Sequence, residues 1–158
     1  MAAFDYRQAE EIRDVFQRHG ARYLFLGKSG AILLGYPDTT QDAHLFIERS
    51  KSNCEALYHA LVELGFRFTG DEAEEVKRGK DFIQLKNGPF DLDLVFAPDG
   101  IERFGDAWER HVEVEGFPVC HIDDIIASKQ AANRAKDRES LPRLKSFCEY
   151  WLQTRNRE

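Results

Sequence analysis

The sequence predicts a mixed α/β (α+β) fold in which helices flank a mixed β-sheet and further helices close the chain. Segments with apolar residues at helical spacing alternate with short apolar runs typical of buried strands. Two of these runs, 81–86 and 90–96, enclose the sequence Asn-Gly-Pro, which favours a hairpin turn. No repeat, low-complexity tract or linker interrupts the chain, so we expect a single domain over residues 1–158.

The first half of the chain predicts helices alternating with strands. The predicted helices cover 6–20, 28–35 and 52–65, and the predicted strands cover 22–27 and 43–49. In the third helix, Ser52 or Asn53 is the expected N-cap and Gly65 the expected end. The stretch 71–80 fits either a short helix or a mobile loop.

The second half begins with the hairpin and ends in helices. A helix is expected over 100–111, a short strand pair about Gly116 within 112–122, and two closing helices over 123–136 and 139–155. Within the second hairpin strand, Phe90, Leu92, Leu94 and Phe96 share one face, and Asp91, Asp93 and Val95 share the other.

Composition and charge exclude several classes of function. No apolar run approaches the roughly 18 residues of a membrane span, and the N-terminus does not read as a signal peptide, so we expect a cytoplasmic protein without membrane contact. The three cysteines have no metal-binding or disulfide spacing and are expected to be reduced core residues. The net charge of −6 argues against bulk binding of nucleic acid. From Ala127 onward, however, basic side chains outnumber acidic ones, which suits a discrete phosphate-bearing ligand.

Two strands each carry polar side chains on one face. Asp42 and His44 are two residues apart on one strand and therefore share a face, as Asp91 and Asp93 do on the other strand. Burying two acids within an apolar strand is unfavourable unless a cation or a donor balances them, so these residues predict a shared polar site. Upstream, Leu-Gly-Lys-Ser-Gly follows a strand and opens a helix, a corner whose backbone N–H groups can cradle phosphate.

In their order along the chain, "GKSGAILLGYPDTTQDAHLFI", "FDLDLVFAPDG" and "IDDIIASKQAANRAKDRESL" resemble the minimal nucleotidyltransferase family, distant kin of the DNA polymerase β catalytic fold. The resemblance covers roughly residues 8 to 147 and implies the nucleotidyltransferase fold. The members that look most similar are small stand-alone proteins, among them toxin–antitoxin and abortive-infection nucleotidyltransferases.

The resemblance assigns roles to individual positions. It implies that Asp42 and Asp93 are catalytic carboxylates that hold metal, with Mg²⁺ or Mn²⁺ as cofactor and a nucleoside triphosphate as substrate or ligand. The residues implied to contact the nucleotide phosphates are Gly27, Lys28, Ser29, Lys129 and Arg134. Asp137 follows in the Arg-x-Lys-Asp context usual for the family.

The chain departs from the family pattern at two positions. His44 replaces the second acid of Asp-x-Asp, and Lys28 replaces a glycine. Nucleotidyl transfer uses two metal ions about 4 Å apart, and a neutral imidazole binds one ion through one nitrogen and cannot bridge two. Asp91 is one candidate for the missing carboxylate. A single Mn²⁺-like ion on Asp42, His44 and Asp93, or the charge of Lys28 in place of one metal, are the other possible compensations.

Two functions therefore follow from the sequence. The first is a metal-dependent transfer of a nucleotide to a protein, RNA or small-molecule hydroxyl, impaired or altered by His44. The alternative is a catalytically inactive module on the same fold that binds a nucleotide or a protein partner, as an antitoxin or an assembly subunit.

Overall fold

A computed structural model describes residues 4–86 and 88–156, which form a six-stranded mixed sheet flanked by helices, as the sequence predicts. The helices within these residues are α1 (Tyr6–His19), α2 (Gly27–Leu33), α3 (Lys51–Leu64), α4 (Gly70–Arg78), α5 (Phe104–Arg110), α6 (Ile122–Ala132) and α7 (Ala135–Asn156). The strands are β1 (Tyr23–Leu26), β2 (Asp42–Ile47), β3 (Phe82–Leu85), β4 (Asp91–Val95), β5 (Val112–Val114) and β6 (Phe117–Val119).

The sheet has the strand order β3-β4-β2-β1-β6-β5. The β2–β4 and β1–β6 pairs are parallel, and the other three pairs are antiparallel. The central strands β1, β2 and β4 are almost entirely buried, as expected for apolar runs covered by helices. Leu92 and Leu94 are fully buried on one face of β4, and Asp91 and Asp93 lie on the other, as the alternation predicts.

The start of α3 differs from the expectation that Ser52 or Asn53 caps it. Ser50 is the N-cap, and its hydroxyl accepts a hydrogen bond from the Asn53 N–H. The Asn53 side chain instead bridges two strands: its Oδ1 accepts from the Arg22 N–H at 2.6 Å, and its Nδ2 donates to the Arg22 and Glu48 carbonyls at 3.0 and 2.7 Å. Sequence pattern alone does not distinguish a capping amide from one that makes tertiary contacts.

Three further boundaries are resolved by the structure. The ambiguous stretch 71–80 is helix α4, which begins with a capping box between Thr69 and Glu72. The helix predicted over 100–111 is shorter than expected, covering Phe104–Arg110. The break between the closing helices falls at Asn133, which takes a left-handed conformation and ends α6, so α7 begins four residues earlier than predicted.

The two predicted strand pairs are both present. The β5–β6 turn has positive φ at Glu115 (51°) and Gly116 (83°), the backbone that a two-residue hairpin loop with the right strand twist requires. The turn predicted between β3 and β4 includes Asn87, which lies outside the described residues. The three cysteines are free and buried, as predicted.

The last helix joins two different environments. Its C-terminal part packs into the core through Leu144, Cys148 and Trp151, which recur at helical spacing. Its first turns hold charged residues, and Pro142 lies between the two parts, inside the helix. Proline removes one i→i−4 hydrogen bond and bends a helix at that point.

We predict that Asn53→Ala lowers the free energy of unfolding by about 1–3 kcal/mol, because it removes the acceptor of the Arg22 N–H and one donor each from the Arg22 and Glu48 carbonyls. Urea denaturation measures the change. Ser52→Ala, at an exposed position in the same helix, is the matched control and should stay within about 0.5 kcal/mol of the parent protein. Equal effects of the two substitutions would show that the Asn53 bridge contributes nothing.

Candidate functional site

The polar site is built by the parallel pairing of β2 and β4. In their register Asp42 lies opposite Asp91 and His44 lies opposite Asp93, so the four side chains share one face of the sheet. One ligand atom each from Asp42, His44 and Asp93 lies within 4.8 Å of the other two. The His44 Nε2 is 3.5 Å from the Asp93 Oδ2. The structure thus brings together three of the four residues named as metal ligands.

Asp91 does not join this three-residue cluster. It faces Asp42 across the strand pair, and its Oδ1 is buried without a hydrogen-bond partner among the described residues. The missing carboxylate of the Asp-x-Asp pattern is therefore not replaced by Asp91 in this arrangement.

The corner at residues 27–29 supports His44. Gly27 has φ +63°, and a Cβ built on it would lie 3.1 Å from the His44 Cβ, so the imidazole packs where a side chain at position 27 would be. The Ser29 side chain is buried; its hydroxyl donates to the Leu26 carbonyl at 2.9 Å and accepts from the His44 N–H at 3.0 Å. These contacts fix the backbone of His44 relative to the corner.

Lys28 lines the same cavity but is paired. Its Nζ lies 3.2 Å from the Asp38 Oδ2. A hydrogen bond from the Thr39 N–H and the nearby Lys28 hold the pKa of the Asp38 carboxyl below its ordinary value. The charge of Lys28 is thus shared with Asp38 rather than directed only at the cavity.

Three basic side chains from the α6–α7 junction, Lys129, Arg134 and Lys136, form what we call the cationic wall. All three line the cavity, and the charges of all three lower the pKa of His44. The sequence predicted Lys129 and Arg134 here. It missed Lys136, although Lys136 lies two residues after Arg134, at the start of α7.

A buried carboxylate holds the cationic wall in place. Asp137 is fully buried, and it accepts hydrogen bonds from the Arg134 Nε at 2.7 Å and the Arg134 backbone N–H at 3.2 Å. The Lys129 Nζ lies 3.6 Å from the other carboxylate oxygen. Burial opposes ionisation of Asp137, but the hydrogen bonds and charge of Arg134, helped by Lys129, outweigh it and lower the pKa.

The cavity between the sheet face and α6 has a volume of about 490 Å³, within the range of small-molecule sites. Asp42, His44 and Phe82 line it from the strands, and the cationic wall lines it from the helices. Phe82 was not identified as a site residue from the sequence. The alternation of Phe82 and Gln84 with the buried Ile83 and Leu85 is the signal that places it on the open face.

Crowding of the two acids determines the electrostatics of the cluster. Burial of Asp93, together with the hydrogen bond and negative charge of Asp42, raises the pKa of Asp93. Burial lowers the pKa of His44, so its imidazole is neutral near pH 7 and has a lone pair available for a metal ion. A bound cation would offset the repulsion between the two carboxylates.

No protein-family model matches this chain, and no curated protein matches its sequence. Among the described residues, no helix combines the length and the apolar character needed to cross a bilayer. The fold class and the three-residue cluster therefore rest on the chain's own structure.

We predict that Asp137→Ala lowers the free energy of unfolding by about 3 kcal/mol, the lower end of the range for breaking a buried ion pair. The lower end applies because the Arg134 side chain is 52% exposed and can be solvated once its partner is gone. Chemical denaturation gives the value, with Glu139→Ala on the exposed face of α7 as the control. A loss below 1 kcal/mol would contradict a structural role for Asp137.

We predict that divalent-metal affinity rises between pH 6 and pH 8. With its raised pKa, Asp93 holds a proton in the lower part of this window, and that proton must leave when a metal binds. His44 adds no proton competition there because its pKa is lowered. Calorimetric titration with Mn²⁺ should show up to about tenfold tighter binding per pH unit below the Asp93 pKa, levelling off above it. Constant affinity across this window would contradict the assignment.

Proposed function

We propose that this chain is a nucleotidyltransferase-like protein that binds a nucleoside triphosphate together with one divalent metal ion. The observation that carries the proposal is the convergence of Asp42, His44 and the buried Asp93 within 4.8 Å. Asp42 and His44 line the same cavity as the cationic wall. Acidic and basic side chains thus border one concave site, which suits a ligand made of phosphates and a metal ion.

The donor set favours one ion of the Mn²⁺ type over a pair of Mg²⁺ ions. Carboxylate oxygens suit Mg²⁺ and Mn²⁺ alike, whereas an imidazole nitrogen suits Mn²⁺ and Zn²⁺ better than Mg²⁺. His44 offers a single nitrogen and cannot bridge two ions as an aspartate can. The Asp42 and Asp93 carboxylates would hold the ion, with the neutral His44 as the third ligand.

The cationic wall is the natural partner of the phosphates. Arg134 donates its Nε and Nη2 to Asp137, yet its side chain is half-exposed, while Lys129 and Lys136 add charge beside it. In this arrangement Asp137 is a positioning residue, since it acts through Arg134 and Lys129. Lys28, which is paired with Asp38, lines the same cavity near the corner.

The reaction class that fits is transfer of a nucleotide from the triphosphate to a hydroxyl of an RNA, a protein or a small molecule. The hydroxyl oxygen forms a bond to the α-phosphorus, the bond from that phosphorus to the β-phosphate breaks, pyrophosphate leaves and the hydroxyl proton is released to solvent. A bound divalent ion would neutralise phosphate charge and polarise the phosphorus centre. The side chains of the cationic wall would orient the phosphates, and the Asp42 and Asp93 carboxylates would hold the ion. With a histidine at the second acid position, transfer is slow or altered relative to a site with three carboxylates.

A binding module without turnover is the second candidate, and one observation favours it. The Ser29 hydroxyl, expected at a phosphate-facing turn, is committed to the Leu26 carbonyl and the His44 N–H. Under this reading nucleotide binding survives Asp93→Asn, because the cationic wall supplies the affinity. Under the first reading, Asp93→Asn abolishes the metal-dependent part of the affinity.

Calorimetry with ATP, GTP, CTP and UTP, each in Mg²⁺ and in Mn²⁺, tests the proposal directly. We expect binding that is tighter in Mn²⁺ and that weakens on Arg134→Ala or Lys136→Ala. If no nucleotide binds in either metal, the transferase and a nucleotide-binding module are both excluded, and only a module that binds a protein partner is left.

We predict that His44→Asp shifts the metal preference from Mn²⁺ toward Mg²⁺, with Mg²⁺ affinity rising about tenfold or more because a third carboxylate adds charge and oxygen donors. Transfer of labelled nucleotide in Mg²⁺ should rise with it. His59→Asp, at an exposed position on α3, controls for the general effect of an added acid. A His44→Asp protein with unchanged metal preference would argue against His44 as a ligand.

A further inference from the structure

One wall of the cavity is an exposed aromatic ring. Phe82 is 44% exposed, whereas Ile83 and Leu85 on the opposite face of β3 are buried. β3 is an edge strand, and Phe82 lies opposite Val95 of β4, on the same sheet face as Asp93. Phe82 also lines the cavity, so its exposed ring is accessible to a ligand bound there.

The ring lies beside the proposed metal ligands. The Phe82 ring centroid is 6.4 Å from that of His44, and the two rings are inclined by 38°. Three strand spacings, about 14 Å, separate β3 from β1 and the corner that follows it. The cavity therefore has an aromatic end at the sheet edge and a charged end near the corner and the cationic wall.

Phe82 also lines a second pocket, whose basic residues are Arg49, Arg78 and Lys80. Within the first cavity, Phe82 lies opposite Val95, and Ala97 and Pro98 are further apolar residues of the lining, so few groups on this side can read the edge of a base. The adjacent Asp81 is ion-paired with Arg49. Asp99 is exposed and offers only acceptors. A flat, apolar ligand group is favoured here over one recognised by several hydrogen bonds.

We propose that Phe82 is the platform on which the base of the bound nucleotide stacks, and that the site accepts all four bases. The inference rests on the proposed function, because it assumes that the phosphates lie against the cationic wall. A nucleotide matches both ends of the cavity: its base has an apolar π-face and its phosphates are anionic. Stacking discriminates weakly among bases because every base has such a face.

The test compares two probes that differ in the presence of a base: a nucleoside triphosphate and inorganic tripolyphosphate, each as its Mn²⁺ complex. We expect Phe82→Ala to weaken binding of the nucleotide by about 5- to 140-fold, the range that loss of one stacking partner gives, and to leave tripolyphosphate binding unchanged. Phe82→Trp should retain or improve nucleotide binding. ATP, GTP, CTP and UTP should bind within about tenfold of one another.

The controls separate stacking from other causes. Tyr150→Ala removes an aromatic that is 64% exposed on α7 and should change neither affinity. A Phe82→Ala protein that binds the nucleotide like the parent overturns the inference and leaves the proposed function standing. A preference above 100-fold for one base overturns it in favour of edge recognition. Failure of the parent to bind either probe overturns the inference and the proposed function together.

Discussion

The parallel pairing of β2 with β4 is the constraint on which the site depends. Parallel strands in register bring residues at matching positions side by side, so His44 meets Asp93 and Asp42 meets Asp91. A shift of one residue would turn one of the two polar sets toward the buried face, where Leu92 and Leu94 now lie fully buried. The apolar core thus enforces the same register that assembles the polar cluster.

The cavity balances two groups of charges that would each be unfavourable alone. The crowded acids of the sheet favour a cation, and the basic residues at the α6–α7 junction favour an anion. The carboxylate of Asp137, which is fully buried, offsets part of the repulsion among the positive charges of the cationic wall. A bound metal–phosphate complex would offset both groups of charges at once, with the metal ion against the acids and the phosphates against the cationic wall.

Much of this architecture is readable from the sequence because it depends on local pattern. The helical spacing in α1, the alternation in β4 and the Gly116 turn each specify their own element. The shared face of Asp42 and His44 also follows from alternation alone. The contact of that face with Asp93 needs the strand order, which local pattern does not specify, although the acids on both strands predicted a shared polar site.

Tertiary contacts account for what the sequence did not predict. Asn53 has the residue type and position of a helix cap, yet its amide bridges two strands that fold onto it from elsewhere in the chain. The Ser29 hydroxyl likewise makes a tertiary contact, because it accepts a hydrogen bond from the His44 N–H of β2. The exposure of the Phe82 ring follows only when β3 is known to be an edge strand, since the same alternation in a strand covered on both faces would bury it.

Pro142 has a mechanical consequence. The first two turns of α7 carry Lys136 and Asp137, whereas Leu144 and Trp151 anchor the rest of the helix in the core. The backbone hydrogen bond that proline cannot make lies between these parts, so the core packing of Leu144 and Trp151 does not by itself fix the direction of the first turns. The ion pair between the buried Asp137 and Lys129 provides a second attachment, because it links the first turns of α7 to α6.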